Sequence, residues 1–182
     1  MNIRMNKFLR RFRKEEKGSV YLIEFVIMAP LLFMTFFFGF ELSMHSIRQM
    51  QLDRGLEVTT REVRLNTSVQ FTHDALKSAI CANSGGLADC EDNLRLEMIP
   101  TNPRTFASLP SDADCINTAQ PVTPVRGWSL GQQHELMLLR ACYRFVPLWN
   151  NIGLGSVLDT NDGSDDGYAK MVSISAFVQE PR

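Results

Sequence analysis

Several ingredients of reactive sites are scarce in this 182-residue chain. It has three histidines, His45, His73 and His134, scattered too widely to form a local motif. Its four cysteines, Cys81, Cys90, Cys115 and Cys142, include no pair at the two-to-four-residue spacing of a structural zinc knuckle. No Cys–His nucleophilic motif stands out, and no cofactor signature does either, so the chain reads as non-enzymatic. The acidic stretch Asp159-Thr-Asn-Asp-Gly-Ser-Asp-Asp-Gly is the best metal candidate, for calcium. It lacks the EF-hand order, because Gly163 stands fifth and no glutamate closes it at the twelfth position. It reads as a solvated loop with tight Asp-Gly turns. Excess charge of one sign is also missing: 19 basic and 20 acidic residues nearly cancel.

Charge is absent above all from residues 20–40, where Glu24 is the only charged side chain in 21 positions. At about 1.5 Å per residue, a helix of that length spans roughly 30 Å, the thickness of a bilayer's hydrocarbon core. A buried helix of a soluble domain is a poor alternative, because the run has no polar face. A cleavable secretory signal is another. It fits the basic start but not the length of the run, and no small-x-small site follows at Gly39-Phe40-Glu41-Leu42-Ser43-Met44. A retained membrane anchor fits better, in contact with lipid. Seven basic residues precede it: Arg4, Lys7, Arg10, Arg11, Arg13, Lys14 and Lys17. Against Glu15 and Glu16 they hold the N-terminus in the cytoplasm and place the rest outside the inner membrane.

Composition follows that division. Residues 1–40 carry seven basic and three acidic side chains, and residues 41–182 carry twelve and seventeen. The acidic remainder argues against a nucleic-acid partner. All four cysteines fall in this exported part, where an oxidising compartment favours two disulfides. Three pairings are open. The short spacing of Cys81 and Cys90 favours a local bridge, leaving Cys115 with Cys142.

The secondary-structure reading is an α+β fold. A basic leader covers residues 1–18, one long helix residues 19–66, and a disulfide-containing head residues 67–182. In the helix beyond the membrane run, Leu42, Leu52, Leu56 and Val63 form a stripe for the core. Met44, Ile47, Val58 and Leu65 gather on a second side, suited to a partner helix. Gly55 is the only strong propensity weakness there, and Glu57 and Arg61 have favourable ion-pair spacing. A second helix covers residues 72–80, capped near Thr72 or Asp74. Residues 82–92 read as loop. Strands are expected at 94–99, 135–145 and 170–179, the last two antiparallel. Residues 101–129 read as a long irregular connection.

Glu24 sits where an ionised carboxylate in lipid is costly, and such residues are usually paired or functional. Basic residues, then Gly18-Ser19, then an apolar run with an early acid, form the arrangement of a prepilin. A peptidase cuts such chains after the glycine, and the carboxylate then neutralises the new amine of a neighbouring helix.

Gly18 to Glu24, with Phe25 and the run around Pro30, resembles the N-terminus of TadE/TadG-like pilus assembly proteins of the tight-adherence (Flp) system. Leu139-Arg140-Ala141-Cys142-Tyr143-Arg144-Phe145-Val146-Pro147-Leu148 is similar to that family's Arg-x-Cys-Tyr strand. Ala176-Phe177-Val178-Gln179-Glu180-Pro181-Arg182 resembles its closing strand. The resemblance runs from about residue 13 to residue 182. It implies a minor-pilin-like structural component supporting pilus biogenesis and adherence. Its implied partners are other pilin-like or Tad assembly subunits and a prepilin peptidase, with cleavage between Gly18 and Ser19. Glu24, Phe25 and Pro30 are the implied assembly residues. One departure stands out: five residues, not four, separate Gly18 from Glu24. An uncleaved single-pass envelope scaffold or sensor is therefore the alternative.

Overall fold

The computed structural model describes residues 19–66, 71–104, 113–115, 127–149, 153–159 and 167–181. A single long helix, α1 (Ser19–Leu65), leads into a small domain built on an unclosed three-stranded antiparallel sheet. Packing divides the chain between Phe40 and Glu41, inside α1, so the helix belongs to two compact units.

In the first unit, apolar side chains point in every direction. Tyr21, Leu22, Phe25, Ile27, Leu31 and Phe36 are each more than 60% exposed. Pro30 lies within the helix without ending it. Its missing N–H leaves one i−4 carbonyl without its helical donor.

The second unit begins at Glu41. From here α1 buries Leu52, Leu56 and Val63. Leu42, expected on that stripe, is 56% exposed, because the core starts further along the helix. Ile47, Val58 and Leu65, on the second side, are exposed. Gly55, weak as a helix former, is explained by packing. A Cβ there would lie 2.6 Å from the Ile80 carbonyl oxygen, so only glycine lets the next helix approach so closely. The expected Glu57–Arg61 pair is not among the ion pairs of the described residues; Arg64 instead pairs with Glu180 at 2.9 Å.

That next helix, α2 (His73–Asn83), starts at the Thr72 N-cap, whose side-chain oxygen accepts from the Ala75 N–H at 3.3 Å. It runs three residues past its expected end, burying Leu76 and Ile80. Gly85 and Gly86 then take positive φ of 79° and 112°. The supposed loop also holds a short helix, α3 (Cys90–Asn93), tied to α2 by the Cys81–Cys90 bridge.

The strands are β1 (Leu94–Pro100), β2 (Leu136–Phe145) and β3 (Ala169–Val178), in the order β1-β2-β3. Register runs from Leu94↔Tyr143 to Pro100↔Met137, and from Leu136↔Val178 to Phe145↔Ala169. A short helix, α4 (Leu154–Asp159), lies between β2 and β3 in sequence. One sheet face carries Leu94, Leu96, Met137, Leu139, Tyr143 and Phe177 into a core shared with Leu52, Leu56, Leu76 and Ile80. At about 1.5–3 kcal/mol per buried large apolar side chain, this core is the main stabilising term of the head.

The opposite sheet face departs from simple alternation. Arg95, Glu97, Arg140 and Arg144 are all buried on β1 and β2. On β3 the aliphatic side is the exposed one, with Val172, Ile174 and Val178 at 38%, 56% and 45% exposure. Met171, Ser173 and Phe177 face inward instead.

Candidate functional site

The sequence-derived assembly residues occupy the start of α1. Ser19 is its first residue, and Gly18 lies outside the described residues. Glu24 and Phe25 are both exposed, Phe25 at 68%. Glu24 stands five positions after Ser19, about one and a half turns along the helix. Among the described residues, none covers them. What they form is a rod of apolar side chains with one acid near its beginning. Such a rod is unfavourable in water and favourable in lipid or against other apolar helices.

The two disulfides are Cys81–Cys90 and Cys115–Cys142, with Cα separations of 5.7 and 5.4 Å. This is the pairing that the short spacing favoured. The first joins α2 to α3. The second ties residue 115, in the long connection, to β2. Beside it Arg95 Nε meets Asp114 Oδ2 at 2.7 Å. Arg140 pairs with Glu97 directly across the strands, where the register sets the two opposite each other. Arg144 lies over the Tyr168 ring at 4.5 Å. This buried polar layer was missed by the sequence reading, although Glu97 and Arg140 share one face. Its chemistry is structural. Each buried charge has an opposite charge or a ring against it, as burial demands.

The histidines stay apart. His45 packs edge-on against Phe145 at 5.7 Å, and Arg48 lies over the same ring at 4.9 Å. Partial burial, then the Arg48 charge, lowers the His45 pKa. His73 Nδ1 lies 3.0 Å from Asp74 Oδ1, and that hydrogen bond lowers the Asp74 pKa. His134 sits in a turn with φ of 66°. Among the described residues no three His, Cys, Asp or Glu side chains converge on a metal position. Of the acidic stretch Asp159–Gly167, the calcium candidate, residues 160–166 lie outside the described residues.

Among the aromatic residues of the head, Tyr143 and Phe145 are in the core and Trp128 packs partly against it. The Tyr143 hydroxyl donates to the Ala88 carbonyl at 2.7 Å, and burial pushes its pKa up. Trp149 is 37% exposed. Glu41, which the sequence reading did not single out, is 4% exposed, and its Oε1 finds no hydrogen-bond partner among the described residues. A Cβ on Gly155 would lie 2.7 Å from that oxygen and overlap the Trp149 carbonyl.

Set against family models, curated proteins and solved structures, the chain matches none.

Proposed function

We propose that this chain is a single-pass structural subunit of a bacterial envelope assembly, of the minor-pilin type found in tight-adherence pili. In this reading residues 1–18 are cytoplasmic, the apolar half of α1 lies in the inner membrane, and the disulfide-bonded head is periplasmic. The observation that carries it is the bare apolar helix bearing one early acid, followed by a small cross-linked head. Energetics support the placement. The six phenylalanines and three leucines of residues 20–40 gain more than about 10 kcal/mol on leaving water. One carboxylate near the end of the span costs about 3 kcal/mol or less. Glu24 then serves assembly: after cleavage behind Gly18, it neutralises the Ser19 amine of a neighbouring pilin-like helix. The resemblance at residues 139–148 and 176–182 supports the pilus class.

Deleting the gene and assaying surface fibres and adherence tests this function. Loss of both is the expected result, and normal fibres with normal attachment would reject it. A second reading is favoured by the five residues between Gly18 and Glu24. The extra residue turns Glu24 by about 100° on the helix relative to the four-residue prepilin spacing. In that reading the chain is an uncleaved envelope scaffold or sensor, and deletion leaves fibres intact.

A further inference from the structure

Residues 145–149 leave the sheet at the end of β2 and run back along the head's part of α1. The Phe145 ring packs against His45 and lies under Arg48. Arg48 Nη1 donates to the Val146 carbonyl at 3.5 Å. Further on, the Trp149 carbonyl and Glu41 Oε1 meet at Gly155. A Cβ there would overlap the carbonyl and lie 2.7 Å from the carboxylate oxygen, so only glycine lets α4 close against both. The segment therefore runs from the level of Arg48 to the level of Glu41.

Glu41 is bonded to Phe40, the last residue of the apolar run. The nearness of residues 148 and 149 to the end of that run follows from this peptide bond alone. A bilayer's headgroup layer adds roughly 5–7 Å on each side of its hydrocarbon core, about four residues of helix. With the run in lipid, a step that rests on the single-pass reading above, Glu41 and what packs on it lie in that layer.

The composition of the segment fits that place. From Phe145 to Leu158 no side chain is charged, the longest such stretch beyond Phe40. Val146 and Leu148 are 49% and 47% exposed. Leu42, next to Glu41 on α1, is exposed as well. Against a headgroup layer these aliphatic side chains reach the ends of the acyl chains, and no charge is desolvated. Glu41, the acid nearest the run, is covered by Gly155 and the Trp149 backbone and is not presented to lipid. A soluble partner protein is a poorer occupant. It must be captured from solution, whereas the chain's own anchor holds the bilayer within reach at high effective concentration.

We propose that Leu42, Val146 and Leu148 form a lipid-facing foot, by which the head rests on the bilayer that its own helix enters. Gly155 builds the foot by seating α4 and residue 149 on α1 at Glu41. The exposure of Leu42, which α1 leaves outside the head's core, is then part of the contact with lipid.

The probe is the full chain in single-chain phosphatidylcholine nanodiscs whose acyl chains carry bromine near the glycerol or near the methyl end. Trp149, which makes contacts of its own and adjoins Leu148, is the reporter in a Trp128→Phe chain. Trp128 in a Trp149→Phe chain is the control. It bridges to Met98, whose register partner Leu139 lies roughly 20 Å along β2 from Phe145. Bromine near the glycerol should quench Trp149 about twofold, more than bromine near the methyl end, as befits an interfacial position. Trp128 should be unaffected. Leu148→Asp and Val146→Asp, both at exposed positions, should each halve that quenching while leaving the melting temperature in place. An unquenched Trp149 in a chain that still inserts would overturn the proposal and leave the single-pass reading standing. Failure to insert would overturn both. Equal quenching in the two aspartate chains would show that the tether alone brings Trp149 to lipid. Shielding of Trp149 from bromine in discs holding two chains would assign the surface to a second copy. Either result would also overturn the proposal.

Discussion

Phe25 and Leu52 lie on one helix, yet Phe25 is 68% exposed and Leu52 is fully buried. Before Phe40 the apolar residues surround the helix, and no part of the described chain covers them. After Glu41 they narrow to a stripe, and the chain's own sheet and α2 cover it. Hydrophobicity alone does not distinguish the halves; its angular spread does. A helix apolar all round requires an apolar solvent or neighbouring helices, whereas a striped helix finds its cover within its own domain. The two halves should therefore fail separately. Damage to the head should lower its melting temperature without releasing the chain from membranes. Damage to the apolar half should change placement and assembly without altering head stability.

The largest effect should come from the buried charge layer. Glu97→Ala removes the carboxylate facing Arg140, and breaking such a buried pair costs about 3–5 kcal/mol. Denaturant unfolding of the head, with membrane extraction as the control, reads this directly. A loss under 1 kcal/mol would show that the pair is solvated. The disulfides come next. Chain-entropy arithmetic gives about 3.5 kcal/mol for Cys115–Cys142 and about 2.5 kcal/mol for Cys81–Cys90, since the former closes the longer loop. Paired Cys→Ser variants measured by calorimetry should keep that order. The reverse order would mean that loop length does not govern their worth.

Gly55→Ala should destabilise the head by about 1–3 kcal/mol, although alanine is the better helix former, because the added methyl meets the Ile80 carbonyl. A stabilised variant would show that α1 and α2 separate freely. The smallest effect is pH-dependent. The folded pKa of His45 lies below its ordinary value near 6.5, so the imidazole binds its proton more readily in the unfolded chain. Its contribution to stability is present above about pH 6.5 and is lost as pH falls below that value toward the folded pKa. His45→Phe should flatten that part of the stability profile slightly, and an unchanged slope would assign it to other groups.

Much of the architecture could be read from sequence because it depends on local pattern. The span of α1, the Thr72 cap and the three strands follow from periodicity, capping chemistry and β-propensity, each a matter of neighbouring residues. The misses share a different cause. Leu42 belongs to the right helical face, but whether it is covered depends on where the sheet begins. Arg95 and Glu97 look like the solvent side of an alternating strand, yet among the described residues Asp114 lies against Arg95 and the register sets Arg140 against Glu97. Alternation along β3 leaves open which face is inner, and Met171 and Phe177 take it, not Val172 and Ile174. For β3, β-branched content alone points to the wrong side. Glu24 is legible as an anomaly from composition alone, because one acid in an apolar run stands out. The partner proposed for it belongs to another chain and leaves no mark in this one.

Glu24→Gln separates the two halves most cleanly. Head stability and membrane insertion should be unchanged, because a neutral amide is easier to bury than a charge. Recovery in complexes with pilin-like subunits should fall, and wild-type recovery would reject the pairing. That mechanism needs a free amine at Ser19, so the most direct test is the intact mass of the protein extracted from native membranes. The account predicts a chain beginning at Ser19, shortened by the eighteen residues that end at Gly18. A chain that still begins at Met1 would contradict it and leave Glu24 without the amine it is proposed to neutralise.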